Sequence, residues 1–178
     1  MAFFDIRADE HLSPEVRKMF EEYRRENKKE VPISWRAFGG SPKIIEARLT
    51  GLSNLFHQCS FPWEVKNLAF MLIAHSRKCQ ACFTASRANL DQLGWDEATL
   101  DGICARPEEL PLKERDRLFV QYALKTAVDA SELRREDFNK MEAAGLSKSE
   151  IQEMIAFAAY ANMHVVFTKS TAAWQAEA

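Results

Sequence analysis

The chain has 178 residues, of which 47% are hydrophobic and 28% are charged, with a formal net charge of −2 at pH 7. This length is that of one domain with a sizeable core, so we predict a single domain over residues 1–178. The near-neutral charge gives no reason to expect nucleic acid or an anionic membrane as a partner.

Cysteine usage and apolar runs point to the compartment. The 4 cysteines are too few for a disulfide-stapled secreted scaffold of this size. Charged residues follow the first methionine too soon for the apolar core of a signal peptide, and no apolar run approaches the length of a membrane span. We therefore expect a cytoplasmic protein whose thiols are reduced at rest.

The pattern of the chain is helical almost throughout, because glycine and proline number only 6 each and no long stretch alternates apolar and polar residues. Ser13-Pro14-Glu15 is typical of a helix start, and Ser147-Lys148-Ser149-Glu150 is a capping box. Gly94 and Gly145 are placed to end helices. The predicted helices cover 14–27, 33–38, 42–57, 62–75, 79–93, 96–104, 112–128, 134–144 and 147–174. We predict an all-α bundle of about six to eight helices, with the apolar helix over 62–75 at its centre.

The motif Cys79-Gln80-Ala81-Cys82 lies at the predicted start of a helix, after a break near residues 74–78. Two thiols three residues apart can close a disulfide or share a metal. The positive end of the helix dipole favours thiolate, the reactive form of cysteine, and Arg77 and Lys78 add positive charge beside it. This motif is therefore the candidate centre for redox chemistry.

These features resemble the carboxymuconolactone decarboxylase superfamily and, more narrowly, its AhpD-like alkylhydroperoxidase branch. The shared features are a helix, a break, a Cys-x-x-Cys at the next helix start and a glycine about a dozen residues later. In the C-terminal half, the junction Ala144-Gly145-Leu146-Ser147, followed by Glu150-Ile151, also resembles that superfamily. The resemblance covers about 49–169 and implies an AhpD-like helical bundle.

The active pattern of that branch is Glu, eleven residues, Cys-x-x-Cys, three residues, His. In this chain Cys79 and Cys82 match both cysteines, whereas Asn67 stands at the glutamate position and Ser86 at the histidine position. In the peroxidase members the second cysteine attacks peroxide, and the glutamate and histidine help to deprotonate it. The resemblance thus implies that this chain keeps the sulfurs and has replaced the proton relay.

Two nearby residues could substitute for that relay. Glu64 lies one turn before Asn67 on the same helix, and His75 lies four residues before Cys79. An imidazolium near the thiol would favour thiolate, and a neutral imidazole could accept its proton.

Each candidate also has a simpler structural interpretation. Ser86 could bond only to the carbonyl of Cys82, and Asn67 only to a neighbouring helix. Glu64 and His75 could simply complement the dipole of their helix, at its start and at its end. We take the remaining cysteines, Cys59 and Cys104, as structural.

The resemblance implies a peroxiredoxin-type, alkylhydroperoxidase-like oxidoreductase in which Cys82 attacks a hydroperoxide and Cys79 closes a disulfide. A dithiol reductant, either thioredoxin-like or a lipoyl protein, would restore the thiols, and no metal or organic cofactor is needed. The resemblance further implies a homo-oligomer, a trimer or a hexamer. A zinc site is disfavoured because its four ligands would need His57, Cys59 or His75 in addition to the pair.

Two alternatives stay open. One is a carboxymuconolactone decarboxylase-like enzyme that does not use the cysteines and binds a carboxylate through Arg77, Lys78 or Arg87. The other is a non-catalytic oligomeric binding module on the same fold. Fold analogy alone does not choose among the three.

Overall fold

A computed structural model describes residue 6 and residues 8–175, with side chains described as far as residue 171. The fold is 77% helical, and the described part of the chain holds nine α-helices, eight of them of seven residues or more, and no strand. The all-α prediction is therefore confirmed. The helices are α1 (Pro14–Asn27), α2 (Ile33–Arg36), α3 (Pro42–Gly51), α4 (Trp63–Ser76), α5 (Gln80–Asp91), α6 (Glu97–Ala105), α7 (Glu114–Asp129), α8 (Arg135–Ala143) and α9 (Lys148–Gln175).

One predicted helix differs from the observed element. The segment over 42–57 was expected to be one α-helix, but α3 ends at Gly51 and Leu52–His57 winds as a π-helix. The backbone widens there by one residue per hydrogen-bonded turn. Over six residues the spacing of apolar side chains does not separate these two windings, so the sequence pattern missed the change.

The chain divides into two compact units, Met1–Asn54 with Val166–Ala178 and Leu55–Val165. The single domain expected over 1–178 stays a prediction. In the first unit, Val16 and Phe20 of α1 pack with Trp35 and Ile45. Arg48 is buried in this unit, where it donates a hydrogen bond to the carbonyl oxygen of Ser34 at 3.1 Å and stacks on Trp35.

The second unit is built around α4, in which every residue from Val65 to Ala74 is buried. Aromatic side chains pack about this helix: Phe56 contacts Phe70 and Phe157, and Phe157 contacts Phe119. A helix with so little exposed surface is stable only when other elements cover it, and α5 and α7 both pack against α4. The prediction that α4 is central is confirmed.

Local capping signals in the sequence define several helix ends. The Ser13 hydroxyl accepts a hydrogen bond from the amide of Val16 at 3.3 Å. The Ser147 hydroxyl accepts from the amide of Glu150 at 3.2 Å, and the Glu150 carboxylate accepts from the Ser147 amide at 2.8 Å. Both predicted helix starts are confirmed. Within the described residues, no helix is long and apolar enough to cross a membrane.

Candidate active site

The turn between α4 and α5 positions the cysteine motif. The amide of Lys78 bonds the carbonyl oxygen of His75 at 3.0 Å, and the amide of Cys79 bonds that of Ala74 at 2.8 Å. These two bonds form a Schellman motif, in which one residue takes the left-handed conformation; here that residue is Lys78, with φ of 54°. Cys79 therefore closes α4 and also stands at the N-cap of α5.

The two cysteines of the motif, called the cysteine pair below, lie together. Their Sγ atoms are 2.7 Å apart, against about 2.05 Å for a covalent S–S bond. Only 3% of Cys79 and 4% of Cys82 is exposed, and no disulfide joins any cysteines in the described part of the chain. The first turn of α5 thus places the two sulfurs side by side.

The sequence on either side of the cysteine pair carries basic residues and no acidic ones. Between Glu64 and Asp91 the sequence holds no acidic residue, although it holds four Lys or Arg residues in that span. Arg77 donates to the Asn162 side chain at 3.1 Å, and Lys78 is exposed to solvent. Cys82 also lies in the first turn of α5, next to the positive end of the helix dipole.

Ser86 and Asn67, which stand at the relay positions, make structural hydrogen bonds. The Ser86 hydroxyl donates to the carbonyl oxygen of Cys82 at 3.0 Å. The Asn67 amide donates to the carbonyl of Trp63 at 2.9 Å and accepts from the Asn89 amide at 3.1 Å. Ser86 and Asn67 are each only 1% exposed. Both simple interpretations of these residues match the observed bonds.

Asn89 was missed at the sequence level. It lies seven residues after Cys82 and three after Ser86, so the three residues share one face of α5. That spacing is the signal that could have found it. The resulting stripe of a thiol, a hydroxyl and an amide points to α4, where Asn67 meets it.

His75 and Glu64 lie at opposite ends of the hairpin formed by α4 and α5. His75 is exposed in the last turn of α4, with its ring centroid 5.3 Å from that of Phe83, the residue after Cys82. The Glu64 carboxylate accepts a 2.6 Å hydrogen bond from the indole of Trp95, beyond the far end of α5. Since α5 has 12 residues and so spans about 18 Å, the structure groups His75 with the cysteines and sets Glu64 apart.

The remaining cysteines and the zinc candidates have other surroundings. Burial raises the pKa of the Cys104 thiol, an effect that the Arg87 cation partly offsets. The carbonyl of Cys59 accepts a 3.4 Å hydrogen bond from Lys66, and His57 stacks on Trp63. Among the described residues no three His, Cys, Asp or Glu side chains are grouped so as to hold a metal ion.

The chain resembles known proteins in its structure and not in its sequence. No protein-family model matches the chain, and no curated protein does so. An uncharacterized peroxidase-related protein from Silicibacter sp. TM1040 matches with a TM-score of 0.81 and 19% identity over 96% of this chain and 88% of its own. An uncharacterized peroxidase-related protein from Ralstonia eutropha JMP134, described as an alkylhydroperoxidase AhpD core, matches with a TM-score of 0.81 and 15% identity, over 95% of this chain and 89% of its own.

The chain has the AhpD-like fold. A further structural match is a cysteine-to-alanine variant of the debrominase Bmp8 in complex with 2,3,4-tribromopyrrole. Its TM-score is 0.70 and its identity 14%, over 88% of this chain and 83% of its own. The sequence-based recognition of the fold is confirmed, and identities this low define a fold and not a reaction.

Proposed function

We propose that the protein is a thiol-dependent oxidoreductase of the alkylhydroperoxidase type, which reduces hydroperoxides through a dithiol–disulfide cycle of Cys79 and Cys82. The observation that carries the proposal is the 2.7 Å separation of the two sulfurs at the start of α5. Two thiols held that closely can give up two electrons together. The AhpD-like fold, which peroxidase-related proteins share, adds support.

The proposed cycle conserves atoms and electrons. The Cys82 thiolate attacks the terminal oxygen of the hydroperoxide, the O–O bond breaks, and the alkoxide takes a proton to leave as an alcohol. Cys82 is then a sulfenic acid. The Cys79 sulfur attacks the Cys82 sulfur and forms the disulfide, and the hydroxyl leaves with the thiol proton as water. An external dithiol reduces the disulfide by two exchange steps.

The proton of Cys82 needs an acceptor other than the relay positions. The Ser86 hydroxyl is engaged with a carbonyl, and the Asn67 amide is neutral and bonded to Asn89. His75 is the exposed base at the same end of the hairpin, so we propose it as the acceptor. For Glu64, which is bonded to Trp95 at the other end, we propose at most a small influence on the cysteine pair.

The proposal includes two kinds of partner. A thioredoxin-like or lipoyl-bearing dithiol protein would reduce the disulfide, and a homo-oligomer, trimeric or hexameric, would be the working assembly. Sedimentation of the full chain at several concentrations measures that assembly.

The reaction is tested by trapping its intermediate. Cys79→Ser and Cys82→Ser variants are treated with stoichiometric cumene hydroperoxide and a sulfenic-acid trap, and then weighed by mass spectrometry. The proposal predicts trapped sulfenic acid on Cys82 in the first variant and none on Cys79 in the second. Cys104→Ser, which alters a thiol whose pKa is raised by burial, is the matched control and should react as the unaltered chain does. Thiols that stay reduced for hours would contradict the proposal.

A second substrate class is a brominated aromatic. The likeness to a debrominase favours it, and the same cysteine pair could supply the electrons. In that reaction the aryl bromide and two thiols give the debrominated arene, the disulfide and hydrogen bromide. Incubation of the reduced protein with 2,3,4-tribromopyrrole, with bromide release measured, tests it. Bromide release that survives Cys82→Ser would reject thiol chemistry as its source.

Two of the three candidate residues of the decarboxylase alternative, Arg77 and Arg87, already have partners, and only Lys78 is exposed. Arg87 is paired with Asp101 at 2.5 Å and with Glu97 at 3.6 Å, and Arg77 bonds Asn162. An arginine engaged with two carboxylates has little charge left for a substrate carboxylate. Turnover of a lactone acid by a chain without Cys82 would nevertheless establish that alternative.

A further inference from the structure

Three helix ends in the second unit use the same Schellman motif. The residue in the left-handed position is glycine at two of them and lysine at the third. At the end of α5 that residue is Gly94, with φ of 92°, and at the end of α8 it is Gly145, with φ of 90°. At the end of α4 it is Lys78, with φ of 54°. Glycine adopts this conformation without steric cost, whereas a side chain makes it less favourable.

A cation at a helix C-terminus has an ordinary explanation, because it complements the helix dipole. The first unit provides an example: Lys28, which ends α1, is also left-handed, with φ of 53°. Dipole complementation therefore does not distinguish Lys78 from Lys28. What distinguishes Lys78 is its position next to Cys79.

The surroundings of Lys78 leave its charge available. Its side chain is exposed, and none of the ion pairs among the described residues includes it. Residues 65–90 contain no acid that could neutralise it locally. Its positive field therefore reaches solvent directly beside the cysteine pair.

Because the cysteine pair is buried, the size of a partner determines how much of the surface around Lys78 it contacts. Because Cys79 and Cys82 are 3% and 4% exposed, a protein that delivers a thiol to them must press against the turn. The exposed residues that flank Cys79 are Lys78, Gln80 and Ala81, so they would lie within its contact area. A small hydroperoxide would cover far less of this surface.

Resting on the function proposed above, we propose that Lys78 docks the reductant, and that this reductant is a dithiol protein with carboxylates beside its thiols. The partner's thiolate attacks one sulfur of the Cys79–Cys82 disulfide, whose S–S bond breaks and leaves the other sulfur as thiolate. The partner's second thiol then attacks the partner's own sulfur in the mixed disulfide, that S–S bond breaks, and the second sulfur of the cysteine pair leaves as thiolate. The cysteine pair gains two electrons and two protons, and the partner leaves oxidised.

The test compares two small dithiols that differ in charge and not in their thiols, dihydrolipoate and dihydrolipoamide. The disulfide is formed with diamide, so that its formation does not depend on peroxide, and its reduction by each probe is timed by alkylation of the released thiols. The readout is the ratio of the anionic to the neutral rate. A change in backbone geometry or thiol reactivity alters both rates and leaves the ratio unchanged.

We expect Lys78→Gly to lower that ratio about threefold at an ionic strength of about 0.01 M, where charges act over about 30 Å, and not at about 1 M. Lys78→Arg, which keeps the charge, should retain the ratio. Lys28→Gly makes the same backbone change away from the cysteine pair and should also retain it.

If the unaltered chain and Lys78→Gly had the same ratio at low salt, the docking role would be overturned. This includes the case in which the substitution lowers both rates by the same factor. Failure of hydroperoxide to form the disulfide, with the charge preference intact in the diamide-oxidised protein, would instead reject the proposed peroxide chemistry and leave the docking role standing.

Discussion

The two ends of the α4–α5 hairpin share a Schellman motif but differ in the residue that takes its left-handed position. At the far end, Gly94 takes the left-handed position, and Glu64 bonds Trp95. At the cysteine end, Lys78 takes that position, both sulfurs are buried, and the flanking sequence carries no acidic residue. The far end has the glycine and the side-chain bond that favour stability, and the cysteine end keeps a less favourable residue beside reactive groups.

The largest expected effect comes from placing an acid–base pair at the positions of Asn67 and Ser86. Asn67→Glu combined with Ser86→His should speed disulfide formation by hydroperoxide at least about tenfold, because a positioned acid–base pair contributes that much or more. Stopped-flow mixing with cumene hydroperoxide measures it. Asn67→Glu alone is the control, and should give less than the double variant. Equal rates in the double variant and the unaltered chain, with the fold intact, would show that the absence of this acid–base pair does not limit the reaction.

Removing the hydrogen bond between Asn67 and Asn89 should lower the stability of the fold and leave the reactivity of the thiols unchanged. Asn89→Ala leaves the buried Asn67 carbonyl oxygen without its donor, so the free energy of unfolding should fall by about 1–3 kcal/mol. Thr84→Ala, on the exposed face of the same helix, should change it by less than about 0.5 kcal/mol. Urea unfolding measures both. Loss of thiol reactivity in folded Asn89→Ala would mean that the pair of asparagines also serves the chemistry.

Substitution of His75 should change the pH dependence of thiol reactivity, and substitution of Glu64 should not. His75→Gln removes the base at the cysteine end, so the pH at which alkylation of the pair reaches half its maximal rate should rise by about half a unit. Glu64→Gln, at the far end, should not move that pH. Iodoacetamide labelling followed by mass spectrometry measures both profiles. A shift in Glu64→Gln as large as in His75→Gln would bring back the hypothesis that both residues assist.

The smallest expected effect concerns the backbone. Lys78→Gly should raise the free energy of unfolding by about 0.5–1 kcal/mol, because glycine relieves the left-handed strain. Lys28→Gly should give a similar gain, since its φ differs by only one degree. Thermal unfolding measures both. A loss of stability on Lys78→Gly would show that the lysine is held there by contacts that outweigh the strain.

The sequence predicted what depends on local signals. Ser13, Gly94 and Ser147 define helix ends through residues within one turn of them, and each of those ends was predicted. The cysteine motif at a helix start was predicted for the same reason.

The partners of Asn67 and Glu64 could not be predicted, because Asn89 and Trp95 lie 22 and 31 residues away and only the packing of α4 on α5 brings them close. The left-handed Lys78 was also missed. Glycine and not lysine is the residue that marks this conformation in a sequence.

The measurement that tests the central claim most directly is a single turnover of the unaltered, reduced chain with one equivalent of cumene hydroperoxide. It counts the alcohol released, the hydroperoxide left and the disulfides formed per chain. We predict one alcohol and one Cys79–Cys82 disulfide for each hydroperoxide consumed, with Cys59 and Cys104 still alkylatable. Hydroperoxide consumed without that disulfide, or not consumed at all, would contradict the account.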